Sequence, residues 1–275
     1  MIKIEMQNVC LGYSRKVVLK GLTFQVRPGE MMGLIGPNGC GKSTVIKALS
    51  HIISPYSGKI LLDGQDIKKI QRRDLSRLLA VVPQMPLLPS AFTAFEIVLM
   101  GQYPHLGLFQ YEGPKELAIA WQAMKKTDTQ SLAERRVSEL SGGEIQSLLI
   151  ARALAQETKA ILLDEPTANL DIGRQVEILD LLKGLCRDNN LAVLAALHDL
   201  NLAIQYCDRL VLINNGQIHV EGTPTEVITA ENIATVYGAE SCVYEHPFNG
   251  LPCVLLSAGN GRASGARDEI RKDAG

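Results

Sequence analysis

Apolar residues fall along this chain in two rhythms. At the start, IKIEMQ (2–7) and LTFQV (22–26) alternate apolar with polar positions, the period of a half-buried strand. Arg27-Pro28-Gly29 follows with turn chemistry, so this part predicts an antiparallel strand region. MMGLI (31–35), AILLD (160–164) and LAVLAAL (191–197) are instead continuous apolar runs, as expected of strands buried on both faces. GKILLDG (58–64) and LLAVVPQ (78–84) read as further strands.

Between these runs the period lengthens to that of helices. Lys42 to Ile52, Ile172 to Arg187 and Leu200 to Tyr206 predict helices, and Phe92 to Gln156 is mainly helical through FEIVLM, ELAIAWQAM and GGEIQSLLIARALAQ. RLVLINNGQIHVEG closes the pattern as two runs around Asn215-Gly216, a hairpin signal. No internal repeat divides the chain. The prediction is one α/β domain over residues 2–256 with a helical segment inserted at about 92–156, followed from Ser257 by a polar tail, expected to be disordered and outside the fold.

Composition narrows the picture. With 275 residues, 46% of them hydrophobic, the chain buries one substantial core. A net charge of −1, from 28 basic and 29 acidic residues, gives no electrostatic case for nucleic acid or anionic lipid as a partner. The six cysteines contain no CxxC pair, so neither a zinc site nor a disulfide framework is expected, and free thiols in a reducing cytosol are the plain reading. MIKIEMQNV lacks the apolar core of a signal peptide. No apolar run approaches the roughly 20 residues that span a bilayer.

The chemistry begins at GPNGCGKST, directly after MMGLI. The stretch runs through Gly36, Pro37, Asn38, Gly39, Cys40, Gly41, Lys42, Ser43 and Thr44, and fits GxxxxGK[ST]. Glycines let the backbone curl until successive N–H groups face phosphate oxygens, and the following helix N-terminus adds its partial positive charge. Lys42 is placed to reach the β- and γ-phosphates and the Ser43 hydroxyl to ligate Mg²⁺. A chance match in such a chain is on the order of one per cent; the competing reading is a glycine-rich structural turn. A dinucleotide fingerprint fails, because Thr44 stands where its third glycine belongs, counted from Gly39.

AILLDEP then puts Asp164 and Glu165 at the end of a buried strand, on the sheet edge where a parallel topology also places the glycine loop. Asp164 suits Mg²⁺, commonly through water, and Glu165 suits polarising a water for attack on the γ-phosphate. Two acids at a strand end also fit a solvated terminus or a helix cap.

LSGGE (140–144), ahead of an amphipathic helix and of AILLDEP, completes a set that resembles the ATP-binding cassette (ABC) ATPases. The resemblance covers nearly all of residues 2–256. It implies a P-loop NTPase cassette with a mixed β-sheet core, an N-terminal antiparallel β region and a helical signature subdomain. It implies that Ser141, Gly142 and Gly143 serve the nucleotide held by a second copy of the chain, so that two copies sandwich two ATP molecules with Mg²⁺. Tyr13 matches the aromatic that stacks on adenine. Gln84 matches the glutamine that contacts Mg²⁺ and the attacking water, and His198 the histidine near the γ-phosphate. Asn169-Leu170-Asp171 matches the loop that crosses to the partner, where Asp171 also fits a simple helix cap. Glu144 and Ile145 stand where many relatives carry glutamine or a basic residue, a departure expected to touch the helix behind the phosphate donors and not the donors. Cys40 is expected to bind through its backbone, with a redox role as the alternative.

Two weaker stretches, VLMGQYPHLGLF (98–109) and VYGAESCVYEHPFNGLPCVLL (236–256), resemble segments of the cassettes that power import of iron-siderophore, haem and cobalamin complexes. The implied protein is a peripheral ATPase on the cytoplasmic face of a membrane, working with two permease subunits through the surface around Gln84 to Phe109 and indirectly with a substrate-binding protein, without nucleic acid. His105, Glu245 and His246 are read as turn and surface residues, not as metal ligands. An importer for another substrate, a soluble cassette and a non-hydrolysing nucleotide switch are the alternatives. Intact Glu165 and His198 weigh against the last.

Overall fold

The computed structural model describes residues 2–14, 16–84, 87–107, 109–168, 170–238 and 241–256. The polar tail, and Asn169 of the expected crossing loop, lie outside them. Two sheets form the body. In the first, β1 (Ile4–Tyr13) and β2 (Lys16–Val26) pair antiparallel, and β1 pairs on its other edge with β4 (Ser57–Leu62). The second has the order β10-β9-β3-β8-β7-β6, where β3 is Met31–Ile35, β6 Leu79–Val82, β7 Ala160–Asp164, β8 Ala192–Ala196, β9 Arg209–Asn214 and β10 Gln217–Gly222. Its strands run parallel except the edge hairpin β9–β10.

The early alternation survives in β1 with one interruption. Ile4 and Met6 are buried, then Asn8 takes φ 50° and the register shifts before Val9, so that Val9 and Leu11 return to the core face. A bulge of this kind adds one residue and resets the two-residue period. The continuous runs divide by parity, as strands covered on both faces require. Ala192, Leu194 and Ala196 of β8 join the core shared with the first sheet and α1 (Lys42–Leu49), while Val193 and Ala195 face the opposite core with α6 (Ile172–Asn189) and α7 (Leu200–Tyr206). A third cluster gathers α3 (Ala94–Leu99), α4 (Pro114–Lys126) and α5 (Gly142–Ala155) around Ile97, Val98, Met124 and Leu148.

The strand expected at GKILLDG forms in the antiparallel sheet beside β1. One local expectation shifts. The helix expected to reach Ile52 ends at Leu49, because the Ser50 hydroxyl donates back to the Ile46 carbonyl at 2.9 Å and His51 turns to φ 56°. A hydroxyl that captures a helical carbonyl and a left-handed residue after it are both terminators. The Asn215-Gly216 turn carries φ values of 47° and 77°, the signs that a tight hairpin turn demands. Among the described residues no helix is long and apolar enough to cross a membrane.

Candidate functional site

The loop between β3 and α1 is shaped by its glycines. Gly41 adopts φ 112°, and a Cβ there would lie 2.6 Å from the Leu19 side chain; Gly36, at φ 145°, would meet the Ile213 carbonyl oxygen at 2.3 Å. Only glycine allows so tight a curl against both sheets. Lys42 begins α1 and is 5% exposed, and its ammonium donates to the Gly36 carbonyl at 2.7 Å and the Pro37 carbonyl at 3.3 Å. The positive charge therefore sits inside the loop, where these carbonyls partly satisfy its donors.

Strand ends bring the acids to this loop. Asp164 closes β7, is 7% exposed and accepts from the Ser43 hydroxyl at 3.0 Å. Burial pushes its carboxyl above the ordinary aspartate range, and the Ser43 hydrogen bond pulls the other way. Glu165 follows in the left-handed region at φ 54°, with its N–H donating to the Ala196 carbonyl at 3.1 Å. That backbone is costly for a non-glycine residue and tends to persist where a site requires it. One Glu165 carboxylate oxygen accepts from the Gln84 amide and the other meets the His198 ring. Gln84 lies two residues beyond β6 and His198 two beyond β8, so three neighbouring parallel strands deliver the cluster to one edge.

A single cleft of about 550 Å³ is walled by Tyr13, Asn38, Gly39, Gly41, Lys42, Ser43, Thr44, Gln84, Glu165 and His198, with Val18 beside them. Tyr13 is 43% exposed, its hydroxyl 3.4 Å from that of Thr44, with the Lys47 ammonium 5.8 Å from the ring centroid. Gly36 and Pro37 contribute carbonyls to Lys42 and not cleft wall. Cys40 packs against the core, where burial pushes its thiol up. Behind the loop, the Tyr237 phenol is pushed up by burial, largest of its influences, and by Cys40, while the Gly36 backbone pulls it the other way. Val18 and Tyr237 had no local signal for this position, since each reaches the loop from a distant element.

A second cleft, of about 490 Å³, collects the other predicted residues: Ser141, Gly142 and Gly143 at the start of α5, and Leu170 and Asp171 before α6. It shares no lining residue with the first cleft. Ser141 caps α5, its hydroxyl accepting from the Glu144 N–H at 3.3 Å, and Asp171 caps α6 by accepting from the Arg174 N–H at 2.8 Å. The expectation that Glu144 lies behind the phosphate donors is corrected here. Its carboxylate accepts from the Ser141 N–H at 2.7 Å and from the Ser141 hydroxyl at 2.8 Å, and it pairs with Arg135 at 2.9 Å. A glutamate at the third helical position reaches back to the cap, and these bonds hold the Glu144 carboxyl below the ordinary glutamate range.

A buried lysine in a glycine loop, at a helix start, beside paired acids on a strand-end edge is an arrangement that fits a phosphate-bearing nucleotide. Residues 19–168 match the model of the ABC transporter family. The ferric enterobactin transport ATP-binding protein of Escherichia coli is 38% identical over 249 residues, 90% of this chain and 92% of that one. A chain of a metal-chelate type ABC transporter in an inward-facing conformation superposes with a TM-score of 0.81 at 29% identity, covering 94% of this chain and 98% of that one. A dimeric ATP-binding cassette in a post-hydrolysis state bound to ADP and Pi gives 0.73 at 26% identity over 80% and 98%. The chain belongs to the ABC transporter family as an ATP-binding protein, an ATPase coupled to transport.

Proposed function

We propose that this chain energises import of a metal chelate, an iron-siderophore, haem or cobalamin complex, as one of a pair of copies at the cytoplasmic face beneath two permease subunits that receive their cargo from a binding protein. The names and descriptions of the similar proteins, which include ferric enterobactin transport and a metal-chelate transporter, support the cargo class. In this reading residues 2–256 form the cassette, and the helical segment at about 92–156 meets the permease. The observation that carries the ATPase assignment is the Glu165 carboxylate held between Gln84 and His198 at the wall of the Lys42 cleft.

Tyr13 stacks on adenine. Backbone N–H groups from Gly39 to Thr44 and the Lys42 ammonium take the phosphates, drawing Lys42 away from the Gly36 and Pro37 carbonyls. Ser43, Asp164 and Gln84 form an all-oxygen donor set that fits Mg²⁺. Among the described residues no group of three histidine, cysteine or acidic side chains has metal-binding geometry, as suits an ion that takes the rest of its shell from phosphate and water. Mg²⁺, when bound, neutralises charge on the β- and γ-phosphates. Glu165 accepts a proton from the attacking water, Gln84 orients that water, and His198 holds Glu165 and faces the γ-phosphate. Ser141, Gly142, Gly143 and Asp171 close on the nucleotide of the other copy. ATP favours the closed pair and products do not, so hydrolysis reopens it.

The test is to purify the tagged chain from its own membranes with MgATP and identify what accompanies it by mass spectrometry. A many-helix permease with a binding protein carrying a metal chelate is expected. Recovery of soluble proteins or nucleic acid alone would overturn the transport reading.

A further inference from the structure

Arg174 joins the two halves of the second cleft. It sits in the first turn of α6, and its own N–H completes the Asp171 cap. Its guanidinium then leaves α6 in two directions. Nε donates to the Ser147 hydroxyl at 3.1 Å, one turn beyond Gly143 in α5. Nη2 donates to the Thr127 carbonyl at 2.6 Å, at the C-terminal cap of α4. Nη1 is balanced by Glu177 at 2.7 Å, with Asp128 at 3.8 Å.

The chemistry of each contact favours arginine. A cation at a helix C-terminus is stabilised by the exposed carbonyls, and a planar fork can serve two elements at once, which a lysine ammonium does less well. Ser147 is 1% exposed, so its hydroxyl gains its hydrogen bond in a place that water does not reach. The Arg174 side chain is itself only 21% exposed. Gln175, next along, fixes the other end of the same turn by donating to the Thr167 and Leu170 carbonyls, each at 3.1 Å.

We propose that Arg174 is a positioning residue that fixes the Asp171 turn and the Ser141-to-Gly143 donors as one face, and so sets how tightly a second copy of this chain closes on ATP. This rests on the ATP-sandwich reading above. Asp171 follows the strand-end acids in the core, whereas Ser141 to Gly143 open a helix of the helical cluster. With Arg174 in place the two approach a partner's nucleotide in one geometry. Without it each must be ordered separately during closure, and that ordering opposes association.

The experiment uses the full chain carrying Glu165→Gln, in which slow hydrolysis lets ATP hold the pair together, with mass followed by light scattering across a MgATP series. Failure of Glu165→Gln alone to pair would sink the sandwich reading itself. If it pairs, adding Arg174→Met is expected to raise the MgATP needed for half-pairing at least about fivefold, the lower end of ordinary coupling between sites. Binding of a non-hydrolysable ATP analogue to the single chain should stay within about twofold, because that site is the chain's own Lys42 cleft, and Arg174→Lys should recover part of the pairing. Pairing as strong as in Glu165→Gln alone overturns the proposal. So does equal loss of pairing and analogue binding, which would mark a general folding defect.

Discussion

The two clefts are of similar size but are built in opposite ways. The Lys42 cleft is made from strand ends and one loop of the central body, and much of its shape is backbone: glycine conformations, a helix start and a left-handed glutamate. The Ser141 cleft is assembled from α5, from the turn before α6 and from the segment after α4, and side chains join its parts. The first is rigid because neighbouring strands fix it. The second depends on long-range side-chain contacts, which suits the partner-facing role proposed for it.

This contrast can be broken by substitution. Lys42→Ala removes the ammonium placed inside the glycine loop. We expect ATP affinity to fall by at least about tenfold, the scale of a charge-assisted hydrogen bond of about 1.5–3 kcal/mol, as measured by titration with an ATP analogue, and turnover to fall with it. Glu144→Ala acts on the other cleft: it removes the return bonds of the α5 cap and the Arg135 pair. Loss of about 1 kcal/mol should lower the melting temperature by about 2–4 °C and slow phosphate release, while analogue binding stays unchanged. Equal effects of the two substitutions on analogue binding would erase the distinction between the clefts.

A smaller effect separates function from stability within the first cleft. Burial raises the Asp164 carboxyl above its unfolded range, so its ionisation costs the folded chain more than the unfolded one. The contribution is therefore most favourable below the unfolded value and is lost as pH rises through the raised folded one. Nucleotide-free Asp164→Asn should melt above the unsubstituted chain at neutral pH, and the gap should close toward acid. Turnover should be abolished throughout. A constant gap across the series would contradict a titrating origin.

Much of the first cleft was legible because its chemistry is contiguous. GPNGCGKST follows its strand directly, Asp164-Glu165 ends the next apolar run of the same kind, and His198 ends another. Parallel strands then bring those ends together without further instruction. The resemblance supplied Tyr13, Gln84, the role of His198 and the grouping of Ser141 with Asp171, which no local pattern shows. Arg174 was missed because its partners lie 27 and 47 residues away, and nothing around an exposed-looking IGRQ marks it. The sheet to which β4 belongs was also unreadable, since alternation shows that a run is a strand but not which edge it joins. The early end of α1 turned on one serine hydroxyl and one left-handed histidine, which the apolar pattern of VIKALSHII does not show.

The central claim is that Glu165, between Gln84 and His198, drives hydrolysis in a cleft whose binding function stands without it. Phosphate release by Glu165→Gln, measured beside its affinity for an ATP analogue, tests this most directly. The account predicts turnover lower by at least about 100-fold, the scale of general-base catalysis, with affinity unchanged. Turnover at the rate of the unsubstituted chain would contradict it.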